Sequence, residues 1–157
     1  MTGRAVTPVD VRACRYGDPD VARMIEEIQA EYVVRYGGPD ATPVTPADFE
    51  PPDGLFLLLY LDDGPVASGA WRRHDATSAE VKRMYVAPAH RNAGLARVML
   101  AELERRATEM GYARLVLETG GRQPEAVALY ESSGYHRIEP FGHYRDSPLN
   151  RCYGKDL

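Results

Sequence analysis

A chain of 157 residues with 44% apolar and 27% charged residues fits one domain, residues 1–157, built around one core. Its net charge of −4 argues against general nucleic-acid binding, and no apolar run approaches the ~18 residues of a membrane span. Two distant cysteines (Cys14, Cys152) and four scattered histidines make neither a disulfide framework nor a metal-ligand spacing, so no metal site is read.

In chain order, the opening MTGRAVTPVD lacks the apolar centre of a signal peptide, and a cytoplasmic protein is expected. VDVRACR (9–15) alternates as a first strand. Residues 18–36 read as a helix, with Asp18 as cap and Pro19 in the first turn. Val21, Ile25, Ile28, Tyr32 and Tyr36 recur at helical spacing and are expected to face the core. The segment 37–54 holds five prolines and three glycines, a long irregular connection that suits either a lid or a rigid surface loop. LFLLLYL and PVASGAWRR flank Asp62-Asp63-Gly64 and predict a hairpin.

AEVKRMYV (79–86) reads as a strand whose alternation breaks at Lys82 and Arg83, as a bulge would break it. Residues 94–110 read as a helix with Leu95, Met99, Leu103 and Met110 on one side and Gly111 as its stop. ARLVLET is a further strand, and QPEAVALYESS a short helix ending at Gly134. YHRIEPFGHY and SPLNRCYGKDL read as two final strands. The order β-α-β-β-β-α-β-α-β-β predicts a mixed α/β layer fold.

The junction RNAGLA (91–96) starts a helix without the Ser, Thr or Asp that helix starts favour. Amide groups left open there, together with the helix dipole, suit a phosphate. Gly94 and Ala93 let an anion approach the backbone, and Arg91 and Arg97 add charge. A merely solvated helix start fits the hexamer about equally well. Neither GxxxxGK[ST] nor GxGxxG is present.

VKRMYVAPAHRNAGLARVML resembles motif A of the GCN5-related N-acetyltransferase (GNAT) family, whose fingerprint Arg/Gln-x-x-Gly-x-Gly/Ala is matched by Arg91, Gly94 and Ala96. QPEAVALYESSGYHRI resembles the family's second motif. The resemblance is close over 79–138 and loose before 55. It implies the GNAT acyltransferase fold, a mixed and mostly antiparallel sheet flanked by helices. It also implies acetyl-CoA as donor, with the turn amides from Arg91, Asn92, Ala93, Gly94, Leu95 and Ala96 on the pyrophosphate. Met84, Tyr85 and Val86 would pair with the pantetheine arm as an added strand does. Splaying of this strand from ARLVLET would open the slot for the thioester. Family members are often homodimers, although no interface motif is legible here.

Acetyl transfer needs a neutral amine, and at pH 7 only roughly one part in a thousand of a lysine-like amine is neutral. Glu80, eleven residues before Arg91, matches the general base of the family's histone-modifying branch; an ion-paired strand glutamate is the alternative. Tyr130 matches the tyrosine aimed at the departing sulfur, against a packing role. Glu118 ends its strand near the expected acceptor, where it would grip a cation or share the base role. Trp71 and Arg72 end another strand toward the same region, Trp71 as wall or core and Arg72 as partner for a carboxylate. Tyr144 and Ser147 are weaker candidates for the acceptor slot. Pro124 stands where many relatives carry an Asn that bonds the cofactor arm, so another residue must supply that contact or it is lost. The expected activity is transfer of acetyl to a primary amine of a small molecule. The alternatives are a protein or peptide acetyltransferase and a non-catalytic acyl-CoA sensor, the latter needing the turn but neither Glu80 nor Tyr130.

Overall fold

The computed structural model describes residues 9–157 apart from residue 63. Most of the opening segment and Asp63 of the expected turn therefore lie outside the described residues. Strand β1 (Asp10–Ala13) leads into helix α1 (Pro19–Tyr36). Asp18 caps that helix by accepting from the Asp20 amide at 2.8 Å, and Gly37 closes it in the left-handed region. Then follow β2 (Gly54–Leu61), β3 (Gly64–Arg73), β4 (Ser78–Val86), α2 (Leu95–Glu109), β5 (Arg114–Gly120), α3 (Pro124–Ser132), β6 (His136–Arg137) and β7 (Asn150–Asp156). A 3-10 turn, Pro46–Phe49, breaks the proline-rich connection.

The strands form one sheet in the order β1-β2-β3-β4-β5-β7-β6. Every pairing is antiparallel except β4 with β5. Both faces are covered, which is why LFLLLYL is apolar without alternating. Phe56 and Leu58 pack with Val21, Met24 and Ile28 of α1 on one face. Leu57 and Leu59 pack with Trp71, Met99, Leu103, Leu117 and Tyr153 on the other.

Three local expectations are corrected. The final-strand reading of YHRIEPFGHY reduces to β6, whose register with β7 covers only His136 and Arg137; Pro140 cannot donate to a ladder, and residues 138–149 are irregular, with a bend and turns from 142 onward. Met110 is exposed, and Leu100 and Ala107 join Leu95, Met99 and Leu103 on the buried side of α2. Tyr36 leaves the core; it and Tyr32, which is partly buried against that core, wall a cavity described below.

The site is made by the one parallel pair. β4 and β5 are in register from Ser78 opposite Arg114 to Val81 opposite Leu117 and then part. The cause lies in β4. Arg83 has φ 57, and the β3–β4 register slips between Ser68 and Ala70. This is the bulge expected from Lys82-Arg83, and it turns the strand's end away from β5. Gly69 makes room for it: a side chain there would meet Met99 Cγ at 2.7 Å and Leu103 Cδ1 at 2.8 Å.

Candidate active site

Beyond Val81, the cleft between β4 and β5 forms a groove of about 420 Å³ lined by Met84, Tyr85, Val86, Arg91, Asn92, Gly94, Leu95, Ala96, Glu118 and Tyr130. Every residue expected to bind the cofactor lines it except Ala93, which the turn carries outside the lining. Gly94, at φ 78, is the N-cap of α2 and provides no side-chain cap. The amides of Leu95, Ala96 and Arg97 have no backbone acceptor among the described residues. The helix dipole and these open donors fit a phosphate. Arg91 does more than add charge. Its Nε donates to Val86 O at 2.9 Å and its guanidinium pairs with Glu31 at 2.5 Å, so it fastens the turn to the end of β4 and to α1. Arg97 is turned toward α3, donating to the Ser132 hydroxyl at 2.6 Å.

A second cavity of about 320 Å³ adjoins the groove. Lys82, Arg83, Glu118, Tyr32, Val81 and Thr119 line both. Tyr36, Asp40, Asn150 and the two weaker candidates Tyr144 and Ser147 are among its other wall residues. The proline-rich connection is thus a fixed wall. Asp40 is bound backbone-to-side-chain by Gln29 (2.8 Å), the Ala41 amide donates to the Tyr144 hydroxyl (2.7 Å), and Asp40 pairs with Arg83 (2.8 Å).

Glu118 sits where the two spaces meet. It is half-buried and makes no hydrogen bond among the described residues: Oε2 is enclosed beside Gly142, and Oε1 is the oxygen left open. Burial raises its pKa, with Lys82 opposing and the nearby Glu80 and Asp40 adding to the rise. A carboxylate held in this way is ready to take a proton. Burial and Asp40 push the Tyr32 hydroxyl up to about 12, so Tyr32 faces the cavity as a neutral phenol. Tyr130 is buried, its hydroxyl pushed upward by desolvation and then by Tyr32. It lines the groove and packs edge-on against Tyr135.

Other expected site residues lie elsewhere. Trp71 is a correction: it is fully buried on the opposite sheet face, donates to Leu103 O at 3.2 Å and packs against Tyr112, so it cannot touch an acceptor. Arg72 is spent on other partners: Asp48 (3.1 Å), Glu80 (3.2 Å) and Pro43 O (2.9 Å). Glu80 is buried with Arg72 on one oxygen and Lys82 at 3.7 Å from the other, and it lines neither space. Here the ion-paired alternative describes the geometry. Sequence reasoning missed Lys82 as a wall residue, together with Gln123. Lys82 carried a signal, since it marks the bulge. Asp40 was legible through its place in the long loop expected to border the acceptor. Gln123 immediately precedes Pro124; its Oε1 accepts from Thr119 Oγ1 at 3.3 Å and its side chain lines the groove.

A split parallel pair ending in an uncapped, glycine-started helix defines a class: transferases that lay an acyl-CoA along the split. The comparisons agree. Residues 21–135 match the Acetyltransferase (GNAT) family, and the chain belongs to that family; it is an acyltransferase that uses an acyl-CoA cosubstrate. It is 40% identical to an IAA acetyltransferase of Azospirillum brasilense over 68% of this chain and 70% of that protein. It is 29% identical to the uncharacterized N-acetyltransferase YjgM of Escherichia coli over 85% and 84%. In structure, it resembles a GNAT acetyltransferase of Elizabethkingia anophelis, solved with acetyl-CoA bound, with a TM-score of 0.70, 16% identity, and coverage of 95% and 98%.

Proposed function

We propose that this protein transfers the acetyl group of acetyl-CoA to the primary amine of a small molecule, in the cytoplasm, with Glu118 as general base and Tyr130 beside the leaving sulfur. The observation that carries this reading is the Glu118 carboxylate at the meeting point of groove and cavity, which makes no hydrogen bond among the described residues: Oε2 is shut in beside Gly142 and Oε1 is left open. The acceptor's ammonium docks at Glu118 and loses a proton to it, directly or through one water. The β4 end from Met84 to Val86 holds the pantetheine arm, and the amides of Leu95 to Arg97 hold the pyrophosphate. Gln123 supplies the arm contact that Pro124 cannot. Tyr130 stabilises the leaving thiolate by hydrogen bonding. Full proton transfer is not needed, because a thiol pKa of about 8.5 already makes the thiolate a fair leaving group.

The sequence resemblance favours Glu80 as the base, but its two cationic partners favour a structural role. A peptide acceptor would need an open, extended groove, and the Asp40–Arg83 and Ala41–Tyr144 links close that side. The test is release of the coenzyme A thiol from acetyl-CoA across amino acids, polyamines, aminoglycosides, arylamines and short peptides. A strong response to one small-molecule class is expected. Response to peptides alone would replace the acceptor class, and binding of acetyl-CoA without release would favour a sensor.

A further inference from the structure

The charges of the acceptor cavity do not all cancel in place. Asp40 is taken by Arg83, both side chains almost wholly buried. Glu80 lies between Arg72 at 3.2 Å and Lys82 at 3.7 Å, and Arg72 also pairs with Asp48. Two charged groups that line the cavity make no hydrogen bond among the described residues, Lys82 and Glu118. The Lys82 side chain is only 7% exposed, and its ammonium makes no hydrogen bond among the described residues; its nearest carboxylate oxygen, on Glu80, is 3.7 Å away. Of the Glu118 oxygens, Oε2 is enclosed beside Gly142 and Oε1 is the one open to the cavity. The two are not within ion-pair distance of each other, although the charge of Lys82 favours the ionised Glu118 carboxylate.

The stem of Lys82 is enclosed while its ammonium opens on the cavity with hydrogen-bonding capacity to spare. A carboxylate on the ligand would take up those donors, while the ligand's own ammonium meets Glu118. We propose that the acceptor is a zwitterion of amino-acid type, and that Lys82 determines this specificity by binding its carboxylate. The proposal rests on the N-acetyltransferase reading above and names its substrate class. The tyrosine walls, Tyr32, Tyr36 and Tyr144, leave room for an apolar or aromatic side chain. In the reaction the ammonium first gives one proton to Glu118. The neutral nitrogen then bonds to the acetyl carbonyl carbon, the C–S bond breaks, and coenzyme A departs as the thiolate, which takes up the second proton from the nitrogen. Lys82 takes no part in these bonds; it positions the amine through the carboxylate.

The experiment compares each amino acid with its decarboxylated amine (phenylalanine with phenethylamine, tyrosine with tyramine, leucine with isoamylamine) in wild type, Lys82→Met and Lys82→Arg. Acetyl-CoA binding by each protein is measured separately by calorimetry. Wild type is expected to favour the acid by about tenfold or more in kcat/KM for at least one pair, since a desolvated charge pair supports at least that much. Lys82→Met brings the ratio to about one through KM for the acid, because uniform binding is what it removes, and Lys82→Arg restores part of it. The proposal is overturned if wild type favours every amine, if Lys82→Met lowers both members of a pair equally, or if no pair is acetylated. Failure of wild type to bind acetyl-CoA sinks the acetyltransferase reading itself; binding with acetylation of amines alone leaves that reading standing and removes only the zwitterion.

Discussion

Asp40 and Arg83 form an ion pair at 2.8 Å that ties the proline-rich connection to the bulge of β4. One residue comes from a loop without secondary structure, the other from the strand position with φ 57. The pair therefore fixes both the cavity wall and the splay that opens the groove. Burial alone would raise the Asp40 pKa, but bonds from Thr42 and the charges of Lys82 and Arg83 hold it at about 2 against 3.8 ordinarily.

Removing one partner strands the other. Arg83→Met should cost about 3–5 kcal/mol, the range for an uncompensated buried charge. The double variant Arg83→Met with Asp40→Asn should be less destabilised than the sum of the two. Urea denaturation of the three proteins checks this; strict additivity would show that the two residues do not act as a pair.

The same pair sets a pH window. The folded pKa of Asp40 lies below its ordinary value, so its contribution is complete above about 4 and lost as pH falls from about 4 toward about 2. In Asp40→Asn that part of the acid-side slope should disappear. Denaturation midpoints between pH 6 and pH 2 read it directly.

Glu118→Gln should lower kcat by roughly 10²–10⁴-fold, the usual worth of a general base. The base acts deprotonated, so wild-type kcat/KM rises with pH through a limb lying above the ordinary carboxylate value, the direction in which burial moves Glu118. The variant should lose that limb. Glu80→Gln should instead show its main effect in thermal stability, because it removes a charge from the Arg72–Glu80–Lys82 cluster. An activity loss for Glu80→Gln equal to that for Glu118→Gln, without loss of stability, would reverse the assignment.

Tyr130→Phe should slow turnover less than Glu118→Gln does, since the thiolate leaves reasonably well unaided. The substitution keeps the ring that packs against Tyr135, so the melting temperature should hold. A loss equal to that of Glu118→Gln would mean that the phenol does more than stabilise the sulfur.

Gly94→Ala probes the phosphate turn. No atom stands within 4 Å of where the new methyl would lie, so its cost is backbone strain at φ 78, about 1–2 kcal/mol. Displacement of the turn should raise KM for acetyl-CoA and leave KM for the acceptor nearly unchanged. Equal effects on the two would place the turn's role outside donor binding.

The chain's local order was legible because each signal is local. Asp18 caps α1, Gly37 closes it, and the small residues of RNAGLA leave the start of α2 uncapped. The broken alternation at Lys82-Arg83 marks the bulge, since a regular strand would send one of two successive cations into a packed layer, whereas the bulge lets both line the cavity. With the resemblance of its two motifs, this defined the family and the donor groove. The acceptor side was decided by long-range packing. Whether Trp71 faced core or substrate depended on the helix covering its side of the sheet. Glu80 and Glu118 are both strand glutamates in sequence; only the fold gives Glu80 the cations of Arg72 and Lys82 and leaves an oxygen of Glu118 bare. Asp40 reaches Arg83 across more than forty positions of chain, and no local pattern records such a pairing. Periodicity and capping are short-range physics and can be read along the chain, whereas partnership between buried charges exists only once the fold has brought them together and excluded water.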